Sequence, residues 1–161
     1  MNFYDVACTE PPIDLELFGI CDDKNAERAY TDTGKPENWI AKVENKKKYT
    51  LTFTAIDKCV IKDKEEEGRG RCDGMITSDD HIFFIELKDE KKDWIQDAIS
   101  QLESTITFFK DHHDIEIFKY KKAYACNKRK KIFKVIDNEE NLRFFRKHKV
   151  RLDVQAEIIV V

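Results

Sequence analysis

The stretch from Asp73 to Lys88 constrains this chain more than any other. It reads Asp73-Gly-Met-Ile-Thr-Ser-Asp-Asp-His-Ile-Phe-Phe-Ile-Glu-Leu-Lys88: a short run, a tight polar turn at Ser78-Asp79-Asp80, then an apolar strand ending in Glu-x-Lys. Successive side chains of a strand point to opposite faces. Glu86 and Lys88 therefore share one face and Leu87 takes the other, while Asp73, Met75 and Thr77 form the matching face of the preceding strand. A hairpin closed at the turn brings two carboxylates and one ammonium together at a sheet end. Carboxylates held that close repel each other unless a cation lies between them, and a hard divalent ion, Mg²⁺ or Mn²⁺, meets that need. A lysine beside a bound water positions it, takes its proton, or stabilises charge on a phosphoryl group. The alternative is a plain Glu86–Lys88 or Lys–Asp ion pair.

With 161 residues, 41% of them hydrophobic and 11 Phe, the chain reads as one domain with a real core. Residues 1–35 read as an appended N-terminal arm, with a short helix over 24–30, and 36–161 as the core. Lys35-Pro36-Glu37 marks a helix start. Trp39, Ile40 and Val43 fall on one helical stripe, and the helix ends near Lys46-Lys47-Lys48. Alternation with Thr over 49–57 predicts a strand, 62–70 a charged loop, and 71–77 and 81–88 two further strands. Asp93 is placed to cap a helix over 94–110 whose apolar face is Trp94, Ile95, Ala98, Leu102, Ile106 and Phe109. One strand or two short ones over 115–126 and another over 132–136 follow. A helix then begins at Asp137 or Asn138, carrying Leu142, Phe144 and Phe145, and one closing strand covers 150–161. The pattern is α/β: helix, three strands, helix, strand, helix, strand.

Asp73, Glu86 and Lys88, with Gln101 on the helix after them, resemble the motif of the PD-(D/E)XK nuclease superfamily. The Pro that precedes the first acid in that motif is Cys72 here. The resemblance implies a restriction-endonuclease-like α-β-β-β-α-β core, its mixed central sheet flanked by helices, with an extra C-terminal helix and strand. It implies an endonuclease that hydrolyses phosphodiesters of DNA rather than RNA with Mg²⁺ or Mn²⁺, in a bacterial repair, mobile-element or phage-defence context. Asp73 and Glu86 would hold the metal, joined by a Glu from the first helix: Glu44, with Glu37 and Glu27 as alternatives. Asp57 is another acid near the site. Lys88 would orient the attacking water. Gln101, with Gln96 as its competitor, would position Lys88 or the substrate; where some relatives have Gln-x-x-x-Tyr, Thr105 replaces the Tyr. The alternative function is a non-catalytic binding or assembly module on the same fold, an immunity or regulatory protein.

The net charge of −3 announces no global basic field. Basic residues nevertheless run without an acid from Lys119 to Lys134, and a second cluster spans Arg143 to Arg151. Such runs make a phosphate-contacting face or a solvated sheet edge guarded by lysines. Lys128, Arg129, Lys130 and Lys131, with Arg69 and Arg71, are the candidate DNA contacts. A domain this small reaches only part of a duplex, so a homodimer or a larger protein partner is expected. Five scattered cysteines without a Cys-x-x-Cys pair argue against a zinc ribbon and for free thiols in the cytoplasm. No apolar segment is long enough to span a membrane.

Overall fold

The computed structural model describes residues 1–23, 27–62, 69–129 and 138–161. Its elements, in chain order, are strands β1 (Leu17–Cys21), β2 (Tyr30–Asp32), β3 (Ala41–Glu44), β4 (Thr52–Ala55), β5 (Gly74–Thr77) and β6 (His81–Lys88), helix α1 (Ile95–His112), β7 (Tyr120–Asn127), helix α2 (Asn138–His148), β8 (Arg151–Val154) and β9 (Glu157–Ile159). The fold is α/β with two mixed sheets. One has the order β2-β1-β3-β9 and the other β4-β5-β6-β7-β8. In the larger sheet β4, β5 and β6 form an antiparallel meander, and β7 and β8 continue it in parallel. Among the described residues no helix is long and apolar enough to cross a membrane.

The layers follow from side-chain alternation along β6. Ile82 and Phe84 join Ala98, Leu102, Ile106 and Phe109 of α1 in one core. Phe83, Ile85 and Leu87 join Phe18, Ile20 and Val43 of the smaller sheet in another. Both faces of β6 are thus covered, which is why its apolar run is continuous rather than alternating. Among the described residues the larger sheet carries its helices on one face, and the smaller sheet covers the other.

That second sheet replaces an expected helix. Over 36–46 only Pro36–Asn38 is helical, as a single 3-10 turn, and Ala41–Glu44 is strand. Trp39, Ile40 and Val43 fit a helical stripe, but Ala41-Lys-Val-Glu alternates equally well. Ala41 and Val43 are buried, and β1 and β9 supply ladder partners on both sides. Residues 1–35 are likewise no appended arm. They provide β1 and β2, and Phe3 is fully buried edge-on against Phe108 and Phe109, at 5.8 and 5.2 Å between ring centroids. Tyr30 opens β2 rather than closing a helix, and positions 24–26 of that expected helix lie outside the described residues. The closing strand over 150–161 is two strands. The chain leaves β8 in one sheet and enters β9 in the other across Gln155-Ala156. The expected strand over 132–136 and the cap at Asp137 lie outside the described residues, as do Lys130 and Lys131.

Five free thiols were expected, but Cys8 and Cys59 form a disulfide, with Cα atoms 5.6 Å apart and a sequence separation of 51. Cys21, Cys72 and Cys126 are free and buried. Spacing could not pair two cysteines that meet only because residues 1–13 fold back along β4. Closing a loop of that size contributes about 4 kcal/mol in the chain-entropy account. The thiol argument for a reducing cytoplasm falls with it.

Gly19 in β1 is required by packing, since a Cβ there would lie inside the buried Trp39 indole. That indole is fixed in turn by its Nε1–H donating to Asp32 Oδ2 at 2.8 Å. Nothing lies within 4 Å of a Cβ placed at Gly34. Gly19→Ala is expected to cost about 2–3 kcal/mol of stability, and Gly34→Ala less than about 0.5 kcal/mol. Urea denaturation of both variants would measure the difference, and equal values would contradict this packing account.

Candidate active site

The β5–β6 register pairs Gly74 with Ile85, which sets Asp73 opposite Glu86 one step beyond the last ladder pair. The strands stay joined past that pair: Asp73 N–H donates to Ile85 O at 3.1 Å, one residue out of the ladder register. The Asp73 carboxylate then reaches across the strand, and its Oδ2 accepts from Leu87 N–H at 2.7 Å. Glu86 shares its face with Ile82 and Phe84, on the α1 side of the sheet. It is 5% exposed, while Asp73 keeps a partial opening to solvent.

Burial is the largest influence on both carboxyls and pushes both upward. The charge of Asp22 adds to this at Asp73, and the charge of Asp73 adds to it at Glu86. Hydrogen bonding from Glu86 and from Leu87 N–H restrains Asp73, while the charge of Asp73 raises Glu86 further, so the pair favours retaining a proton. Glu86 Oε1 is buried and makes no hydrogen bond, so one acceptor oxygen of the pair is left unsatisfied. Such an atom is costly unless something binds it.

Lys88 Nζ lies 3.3 Å from Glu86 Oε2 and closer still to Asp97 Oδ2 of α1. Burial alone would lower the Lys88 pKa, but the Asp97 hydrogen bond and the Glu86 charge outweigh it and raise it. Lys88 is therefore held as an ammonium, suited to stabilising charge rather than to removing a proton.

Gln101 does not touch Lys88. Its Oε1 accepts from Arg71 N–H at 2.6 Å. One turn later Thr105 Oγ1 accepts from Cys72 N–H at 2.7 Å and donates to Gln101 O at 2.9 Å. Positions i and i+4 of a helix share a face, so α1 grips two consecutive amides of the segment entering Asp73. Gln96, the competing candidate, is exposed. Asp93 is not the helix cap; it has a left-handed φ of 58°, and Trp94 takes the cap position with no side-chain capping bond to the first turn.

Glu44 stands not on a helix beside the pair but on β3, with its carboxylate 3.3 Å from Lys42 Nζ. The further acids whose charges act on Asp73 are Asp22, just past β1, and Asp57, just past β4. Asp57 was legible as an acid ending a strand. The same signal, an acid directly after the apolar Leu17–Cys21, marks Asp22, which the sequence reading passed over. Among the described residues no three His, Cys, Asp or Glu side chains are grouped to hold a metal ion, so the protein donors near Glu86 Oε1 are those of the Asp73–Glu86 pair.

The candidate DNA contacts separate on folding. Arg71 Nε pairs with Asp57 at 2.7 Å, and the Arg69 guanidinium lies 4.0 Å from the Phe108 ring centroid. Lys128 N–H donates to Lys88 O at 2.8 Å, and Arg129 Nε to Asp89 Oδ1 at 2.8 Å, so this pair borders the carboxyl end of β6. No family model matches the chain, and no curated protein or solved structure matches it either.

A carboxyl whose folded pKa is raised gives the folded state more protons than the unfolded chain between the two values, so stability falls as pH rises through that window. Metal-free protein is expected to lose thermal stability from about pH 4 towards neutrality. Glu86→Gln should flatten that decline and add about 1–2 kcal/mol at neutral pH. Mn²⁺ should raise Tm of the wild type and not of Glu86→Gln or Asp73→Asn. Differential scanning calorimetry across pH checks both, and a wild-type Tm that climbs through this range would refute the assignment. Thr105→Val, which strands the buried Cys72 amide, is expected to cost about 1–3 kcal/mol in the same measurement.

Proposed function

We propose that this chain is a divalent-metal-dependent nuclease acting on DNA phosphodiesters. One observation carries the reading: two buried carboxyls converge at a strand end beside a lysine ammonium, with Glu86 Oε1 left without a partner. The run β4-β5-β6-α1-β7, a meander followed by a helix and a parallel strand, is consistent with the later part of the restriction-endonuclease-like core. In place of that core's first helix this chain has a sheet.

The residues present fit a hard cation. Asp73 and Glu86 would hold it, and the unsatisfied Oε1 is the atom it would relieve. Mg²⁺ or Mn²⁺, when bound, supplies Lewis-acid polarisation of a phosphoryl oxygen and acidifies water. The chain supplies the rest. The pair releases its retained proton before both carboxylates can bind. The Lys88 ammonium, steadied by Asp97, orients water and stabilises charge growing on the phosphate. Gln101 and Thr105 fix the backbone that aims Asp73. Lys128 and Arg129, at the same strand end, are placed to meet flanking phosphates. Asp22 and Asp57 raise the negative field that a cation would offset.

The second reading, a non-catalytic module, is favoured by the Lys88–Asp97 contact, which satisfies the lysine without substrate. Cleavage separates the two. Purified protein is expected to cut DNA with Mg²⁺ or Mn²⁺ and not with EDTA. Lys88→Ala should reduce single-turnover cleavage by about a hundredfold or more with DNA affinity nearly unchanged. The assay should use linear, branched and single-stranded DNA and RNA, with enzyme in excess. No metal-dependent cleavage of any of them would leave the binding module standing.

A further inference from the structure

Most of the lysine-rich run lies away from the carboxyl pair. β7 runs parallel to β6 and pairs Tyr120 with His81 and Ala125 with Glu86. The beginning of β7 is therefore about 17 Å from the pair, at a rise of about 3.3 Å per residue. There Lys119, Lys121, Lys122, Lys149 and Arg151 surround an open cavity of about 420 Å³. Lys122 pairs with Asp153 at 2.9 Å, and Lys121 reaches Glu116 at 3.8 Å. Among the described residues Lys119, Lys149 and Arg151 form no ion pair with a carboxylate, and all three are exposed.

Aromatic rings hold these cations in place. The Arg151 guanidinium lies 5.0 Å and Lys149 Nζ 5.8 Å from the Phe145 centroid, and Lys119 Nζ lies 5.2 Å from that of Tyr120. Rings engaged in this way orient charge rather than offer a face to a base. Lys149 is also held by its backbone. It follows α2 with a φ of 58°, its N–H donating to Phe145 O at 2.8 Å, in the cap position that favours glycine. Lys110 registers the same field: burial lowers its pKa, and the charges of Lys121 and Lys149 lower it further against the pull of Glu116.

We propose that this cavity is a second nucleic-acid site, which grips backbone phosphates without reading sequence at the end of the sheet opposite the carboxyl pair. The three cations without a carboxylate partner, with Lys121 and Lys122 beside them, exceed the charge of one inorganic phosphate, and a concave wall suits a rod-like polyanion better than a flat bilayer. Duplex DNA carries a charge every ~1.7 Å along its axis, so several phosphates fall within the span of this cavity. The proposal extends the nuclease reading by giving the same partner a second contact, but it does not depend on cleavage.

The test is fluorescence anisotropy of a mixed-sequence DNA duplex, titrated in EDTA at several salt concentrations. Lys119→Gln with Arg151→Gln should weaken binding about tenfold or more and reduce the slope of log K against log salt by about two. Lys149→Gly should also weaken it while the thermal midpoint stays level or rises, which separates binding from folding. Lys46→Gln with Lys47→Gln makes the same charge change elsewhere and should leave affinity within about twofold. Binding is read in EDTA, where metal-dependent cleavage does not occur, so a failure of cleavage and a failure of this site are distinct results. The proposal is overturned if the wild type does not bind the duplex, or if the Lys46/Lys47 variant loses as much as the cavity variants. It is also overturned if the cavity variants lose affinity only for inorganic pyrophosphate or only for phosphatidylserine vesicles.

Discussion

A carboxyl at the end of a strand buried on both faces is the constraint around which this structure is arranged. β6 has helices on one side and a second sheet on the other, so Glu86 has no solvent to turn to. Its burial raises its pKa, draws Asp73 and Lys88 into one electrostatic unit, and leaves Oε1 unsatisfied. An isolated buried charge is unfavourable by several kcal/mol, so the arrangement stores a demand for a proton or a cation. The nuclease proposal rests on that demand.

Helix α1 supplies the order that a charged cluster alone would lack. Asp97, Gln101 and Thr105 lie at successive four-residue steps on the helix. They hold, in turn, the Lys88 ammonium, the Arg71 amide and the Cys72 amide. Packing by Ala98, Leu102, Ile106 and Phe109 against β6 fixes that row relative to the strand carrying Glu86. The site and the helix–sheet core therefore depend on each other: loosening the core would misplace Asp73 before it touched the carboxyls.

Positive charge is distributed by topology rather than by sequence proximity. A single lysine-rich stretch becomes two separate groups because β7, between β6 and β8, delivers its two termini to opposite ends of the sheet. Arg69 and Arg71, close to Asp73 in sequence, are engaged by Phe108 and Asp57. Lys149 and Arg151, remote in sequence from Lys119, join it because α2 returns the chain to the start of β8.

The sequence by itself determined what local alternation controls. The hairpin from Asp73 to Lys88, its register, the shared face of Glu86 and Lys88, and the apolar stripe of α1 all follow from periods of two and 3.6 residues within one short segment. Only the tertiary structure decided the rest. Ala41–Glu44 satisfies either period, and its partners β1 and β9 lie far away in sequence; ladder bonds and burial between the sheets made it a strand and took Glu44 out of the site. Cys8 and Cys59 meet because the N-terminal residues pack beside β4. Gln101 serves the Arg71 backbone ahead of Asp73 rather than Lys88 because the chain enters β5 across the face of α1, and Asp97 reaches the lysine first. Each of these depends on a non-local contact, whose direction and depth no spacing along the chain encodes.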